Sequence, residues 1–266
     1  MTFVSITDIN QWKFILPNLL ALDKYKREYT YYIFGNTRYV VAKLKQAISR
    51  LPIEYGKVIV DTIPSFYTFF NLQPRFTNHS WITPTTMDRF VIPLYTDIKK
   101  FVWLDCDTLI VSEKVFDLDN IETSKKGIAA VPAYTTLTDH IISFSKADFL
   151  LDLVNTESSS FNAGVCLIDC KKLVSNNYSD FIDEVHARSD GSYINDEIIL
   201  NLYDQEYVEL PLSYNCMTHA PDNIKNPYVV HFSGQKYKPW HTDIPDVGIY
   251  IKYYKLWEYY YLELDC

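Results

Sequence analysis

The chain has 266 residues, enough for one large α/β domain or two small ones. Its 48% hydrophobic content supports a full core, and 22% charged residues exclude a disordered class. A formal net charge of -8 argues against nucleic acid as a partner, since phosphate binding needs a basic surface.

Met1 to Asn10 shows no basic segment followed by an apolar core, so no secretory signal is expected. No apolar run approaches the roughly 20 residues of a membrane span. The cysteines (106, 166, 170, 216 and 266) have no zinc-site spacing and read as reduced thiols. A cytoplasmic protein without a stable membrane anchor is expected. On that basis the glycosylation triplets Asn78-His79-Ser80 and Asn177-Tyr178-Ser179 read as chance matches.

Thr2 to Ile6 reads as a first strand ending at Thr7-Asp8. Trp12 to Leu22 has helical periodicity, with Pro17 expected to kink or terminate a turn. Tyr31 to Phe34 is a second strand, closed by Gly35-Asn36. Tyr39 to Leu51 is an amphipathic helix with Val40, Val41, Leu44, Ala47, Ile48 and Leu51 on one side. Val58 to Val60 is a third strand, and Thr85 to Tyr95 is expected to contain a helix. Alternating strands and helices imply a mostly parallel central sheet flanked by helices. Ligands then sit at the carboxyl ends of the strands. Asp8, Asn10, Asp105 and Asp107 all fall there and are expected to share one crevice.

Phe101-Val102-Trp103-Leu104 is a short buried strand running into Asp105-Cys106-Asp107. Two carboxylates so close repel each other, and a bound cation is the usual remedy. Oxygen ligands favour a hard ion such as Mg²⁺ or Mn²⁺. Downstream, Gly127 to Val131 and Gly164 to Ile168 read as strands. Tyr178 to Ala187 and Asn195 to Tyr203 read as helices. No linker or internal repeat divides the chain, so a single domain over 1–266 is expected, with a first part over about 1–110 and a second after it. Glycine-rich phosphate loops are absent.

In Phe161-Asn162-Ala163-Gly164 an amide stands beside small residues that let a ligand approach the backbone. Asp196-Glu197 open a helix, where the dipole alone also favours acids. His231 ends the strand Val229-Val230 and is followed by Gly234 and Lys238-Pro239-Trp240. It reads as a third metal ligand with a phosphate-binding lysine nearby. Tyr250 to Tyr261 is rich in tyrosine but carries only Lys252 and Lys255 as cations. It is expected to be a helix packed on the domain through its aromatic face.

Together these segments resemble glycosyltransferase family eight, which includes glycogenin and bacterial lipopolysaccharide galactosyl- and glucosyltransferases. The matching stretches are Phe3 to Asn10, Arg89, Trp103 to Asp107, Phe161 to Val165, Asp196 to Asn201, Leu210-Pro211 with Tyr214-Asn215, and His231 to Trp240. The resemblance implies a GT-A (Rossmann-like) fold, a UDP-sugar donor, Mn²⁺ or Mg²⁺, and retaining transfer of a hexose, glucose or galactose, to a glycan, glycolipid or protein. It assigns Asp105, Asp107 and His231 to the metal, Asp8 and Asn10 to uracil and ribose, and Gly234 and Lys238 to the diphosphate. Arg89 would lie near the donor sugar, with Asn162 and Asp196 on the transferred sugar and Glu197 beneath its anomeric carbon.

The chain departs from the pattern in three places. Glu197 stands where the family usually has Gln, Ala133 about where many members have Asp, and the Gly234 to Lys238 gap is one residue longer. A nucleotide-sugar-binding protein without catalysis is one alternative. The other is a phosphatase of the haloacid dehalogenase type, whose nucleophile loop resembles Asp105 to Leu109 but has Thr or Val at the last position.

Overall fold

The computed structural model describes residues 1–73, 83–144, 148–155, 158–189, 194–220, 224–241, 243 and 248–263. Asn78-His79-Ser80 and Cys266 lie outside them. The chain is mixed α/β, with a large, mostly parallel central sheet flanked by helices. Its first elements are β1 (Thr2–Thr7), α1 (Leu16–Asp23), β2 (Tyr29–Gly35), α2 (Arg38–Ile48), β3 (Gly56–Thr62), α3 (Phe66–Phe69) and α4 (Ile92–Tyr95). Next come β4 (Lys100–Leu104), β5 (Thr108–Ile110), β6 (Ile128–Thr136), α5 (Leu137–Phe144), β7 (Ser159–Asp169) and α6 (Cys170–Ser175). Last are α7 (Tyr178–Arg188), α8 (Asp196–Tyr203), β8 (Val208–Glu209), β9 (Cys216–Met217), β10 (Val229–His231) and α9 (Ile251–Leu262). The backbone clusters into two compact units, each discontinuous in sequence.

The first unit comprises Met1–Thr62, Val102–Ile121 and Pro211–Cys266. Its strands run β3-β2-β1-β4 with all neighbours parallel, and Val4 lies between Tyr32 and Trp103. Phe3, Tyr31 and Ile33 are fully buried, and Phe3 meets Tyr29, Tyr31 and Phe116 ring to ring. Thr37 caps α2 by accepting from Val40 N, and Val40, Val41 and Leu44 form its buried face; Ala47 and Ile48 are half-buried, and Leu51 lies beyond the helix, which ends at Ile48. The predicted helix over Trp12 to Leu22 starts as a 3-10 turn, Trp12–Ile15. Pro17 sits in the first turn of α1, where its missing N–H costs nothing, so the helix is not kinked there. On α9, Tyr254, Trp257 and Tyr260 are buried, which is the aromatic packing expected of this segment.

The second unit comprises Ile63–Phe101 and Glu122–Leu210. Here β6 pairs antiparallel with β7 and parallel with β8. The ladder of β6 and β7 shifts register at Pro132, which has no N–H to offer it. Asn201 of α8 donates to Phe161 O (2.9 Å) and accepts from Phe161 N (2.7 Å), which locks the helix to the start of β7. The predicted helix over Thr85 to Tyr95 is mostly a 3-10 helix, Pro84–Val91, running into the short α4. Among the described residues no helix is long and apolar enough to cross a membrane.

Candidate active site

In the first unit, β4 is buried to Leu104 and the chain then turns through Asp105, Cys106 and Asp107. Thr108 closes the turn, its N and Oγ1 both donating to Asp105 O (3.2 and 2.8 Å). Asn18, fully buried on α1, fixes the exit strand. Its amide donates to Thr108 O (3.0 Å) and Oγ1 (3.1 Å), and its oxygen accepts from Ile110 N (2.9 Å). The other edge of β5 pairs antiparallel with β10, setting His231 opposite Thr108, and Phe232 N donates to Asp107 O (2.8 Å). This small sheet brings a distant histidine back to the two acids. One ligand atom each of Asp105, Asp107 and His231 lie within 4.8 Å of one another.

The side chains are oriented from behind. Trp103 Nε1 donates to Asp105 Oδ1 at 2.6 Å. His231 Nδ1 lies 3.0 Å from Asn215 Oδ1, an acceptor, so Nδ1 carries the proton and Nε2 is left bare. That Nε2 is 3.4 Å from Asp107 Oδ1. A lone pair facing a carboxylate is favourable beside a cation, and two carboxylates with one imidazole fit Mn²⁺ or Mg²⁺. Burial would raise the Asp107 carboxyl, but the adjoining Lys238 ammonium holds it well below the usual range. Lys238 follows Gly234, whose φ of +82° lies in the left-handed region that glycine adopts freely.

Asp8 lies just beyond β1, and its Oδ1 accepts from Asn10 N (2.8 Å) and Gln11 N (3.1 Å), while Asn10 itself is exposed. Burial raises the Cys106 thiol, and Asp105, Asp107 and Asp8 around it push it the same way. All three acids are thus near enough to Cys106 to act on its thiol.

A second cluster lies within the second unit. Asn195 caps α8 by accepting from Ile198 N (2.8 Å), placing Asp196 and Glu197 in its first turn. Arg89, buried on the 3-10 helix, donates to Ala163 O (3.0 Å) and pairs with Asp196 Oδ2 (2.9 Å). Glu197 Oε2 accepts from Asn162 Nδ2 (2.9 Å) and Ala163 N (2.8 Å). Its Oε1 lies 3.4 Å from Nε2 of His140, whose burial pushes its pKa down to about 4. Arg89, Asn162, Asp196 and Glu197 are thus brought together as a network of buried and half-buried groups. Sequence reasoning missed His140 and Asn18. Nothing near His140 signals it, but Asn18 is a lone amide in the apolar run Leu16 to Leu22, and a buried amide must find partners.

The mostly parallel sheet delivers the two carboxylates at the end of β4, the small sheet β5-β10-β9 returns the imidazole to them, and the fold is that of the GT-A class. The family model described as Glycosyl transferase family 8 matches residues 10–243, and the chain belongs to that family. It is 28% identical over 221 residues to General stress protein A of Bacillus subtilis (strain 168), covering 73% of this chain and 68% of the relative. It is 23% identical over 253 residues to the probable glycosyl transferase Gly of Streptococcus gordonii, covering 89% of this chain and 32% of that longer protein. The galactosyltransferase LgtC, solved with donor and acceptor sugar analogues, shares the fold: TM-score 0.72, 19% identity, covering 97% of this chain and 96% of LgtC.

Proposed function

We propose that this chain is a retaining glycosyltransferase that moves glucose or galactose from a UDP-sugar to a glycan, glycolipid or protein acceptor. The convergence of Asp105, Asp107 and His231 within 4.8 Å carries this reading. Those residues would hold Mn²⁺ or Mg²⁺, which supplies a Lewis acid for charge developing on the leaving diphosphate. Lys238 brings an ammonium to the same diphosphate, and Gly234 lets the loop backbone approach it. Asp8 and Asn10 take the uracil and ribose. Asn162 and Asp196 hydrogen-bond hydroxyls of the transferred sugar, with Arg89 near it fixing Asp196. The Glu197 carboxylate stabilises positive charge as the anomeric centre becomes oxocarbenium-like. The acceptor hydroxyl attacks from the face the diphosphate leaves, which preserves configuration.

Turnover of UDP-glucose, UDP-galactose and related donors, without acceptor and then with simple glycans, tests this. UDP release that needs Mn²⁺ and stops with chelator is expected. Release indifferent to chelator overturns the metal-dependent reading. Donor binding without release favours a binding protein, and inorganic phosphate release in place of UDP favours a phosphatase.

A further inference from the structure

We propose that His140 is the positioning residue that makes position 197 a carboxylate site: its Nε2–H faces Glu197 at 3.4 Å and completes a cradle with the two hydrogen bonds from the Asn162 amide and the Ala163 N–H. The role of Glu197 at the reacting sugar rests on the proposed function, whereas the cradle rests on geometry within one unit.

Two donors meet a single oxygen of Glu197, Asn162 Nδ2 at 2.9 Å and Ala163 N at 2.8 Å. The other oxygen faces His140 Nε2 at 3.4 Å, a close contact short of hydrogen-bond geometry, with only 7% and 20% of the two side chains exposed. Carboxylate oxygens only accept, so a bare Nε2 lone pair there would repel Glu197. The ring proton therefore belongs on Nε2, and burial keeps the ring neutral, so Nδ1 is the bare nitrogen.

A glutamine at 197 reverses the arrangement. Its carbonyl would take the Asn162 and Ala163 donors, and its NH₂ would point at His140. Nε2 would then have to be the bare acceptor, with the proton on Nδ1. The residue at 197 and the His140 tautomer are thus coupled. With two donors on one oxygen and the His140 ring against the other, the carboxylate is held in one orientation. A negative charge fixed beforehand stabilises a developing positive one without reorganising during the reaction.

Long-range ¹H–¹⁵N correlation spectra of the ¹⁵N-histidine-labelled protein test the coupling near neutral pH, with His140 assigned by its loss in His140→Gln. The expected result is an Nε2–H tautomer in the wild type and an Nδ1–H tautomer in Glu197→Gln. The same tautomer in both overturns the proposal. Kinetics give a second arm. His140→Leu is expected to lower kcat for donor turnover about tenfold, the loss of a polar contact to a charged group, while donor KM stays within about twofold. His140→Gln, which restores a donor, recovers most of it, and His140→Leu adds nothing in the Glu197→Gln background. Equal losses in the Leu and Gln variants, or additive ones, would remove His140 from this role. Should no sugar nucleotide turn over, the proposed function fails while the tautomer comparison still decides the cradle.

Discussion

Asp107 carries several demands at once. Its backbone oxygen holds the strand that delivers His231, and its carboxylate meets both His231 and Lys238. The side chain lies beyond the end of β4 and adds little to the apolar core, so Asp107→Ala is expected to remain folded. It should abolish Mn²⁺-dependent UDP release, because an oxygen ligand and a neutralising charge are lost together. A folded variant with Mn²⁺-dependent turnover near wild type would sink the metal assignment. Asn215 works one step back, by keeping the His231 proton on Nδ1. Asn215→Ala is therefore expected to weaken Mn²⁺ binding by about 10–100-fold, read by titration of the free protein. Unchanged affinity would show that His231 is oriented by something else.

Short elements explain what the sequence could and could not convey. The strand Phe101 to Leu104 was legible because an apolar run ending in two acids has few other readings. β5 and β9 span only Thr108–Ile110 and Cys216–Met217, too short for periodicity, and they exist because β10 and Asn18 pair with them. The candidate metal ligands were therefore nameable from residue type and order, but the sheet that assembles them was not. The same holds for β6, whose first residue is Ile128 and not Gly127. Gly127 adopts φ +112°, and a Cβ there would lie 2.6 Å from Leu173 Cδ1 and 2.8 Å from Asp169 O. Gly127→Ala combines strained backbone with a clash against a carbonyl, at a cost of about 1–3 kcal/mol. A denaturant midpoint equal to wild type would contradict this.

Across the whole molecule, the order of motifs conveyed the family, because segments from Phe3 to Trp240 had to match in sequence. Long-range partners were not conveyed, since a pair such as Arg89 and Asp196 exists only after folding. Buried charge is the clearest example, and it bears on overall stability. Asp88 is 3% exposed and accepts from Phe66 N at 2.7 Å, yet burial pushes its pKa up to about 7. The native state then holds this proton more tightly than the unfolded chain, whose ordinary value is 3.8. Below about pH 4 both states are protonated and no penalty exists; between about pH 4 and 7 stability falls as pH rises; above that the penalty is constant. Asp107 acts with the opposite sign, its lowered pKa favouring the native state as carboxylates ionise. Only a difference between two proteins isolates Asp88. Asp88→Asn keeps an oxygen for Phe66 N and removes the charge. Relative to this variant, the wild type is expected to lose on the order of 2–4 kcal/mol of unfolding free energy between about pH 4 and 8. Denaturant unfolding at a series of pH values measures it, and parallel curves for the two proteins would show that Asp88 ionises freely in the native state.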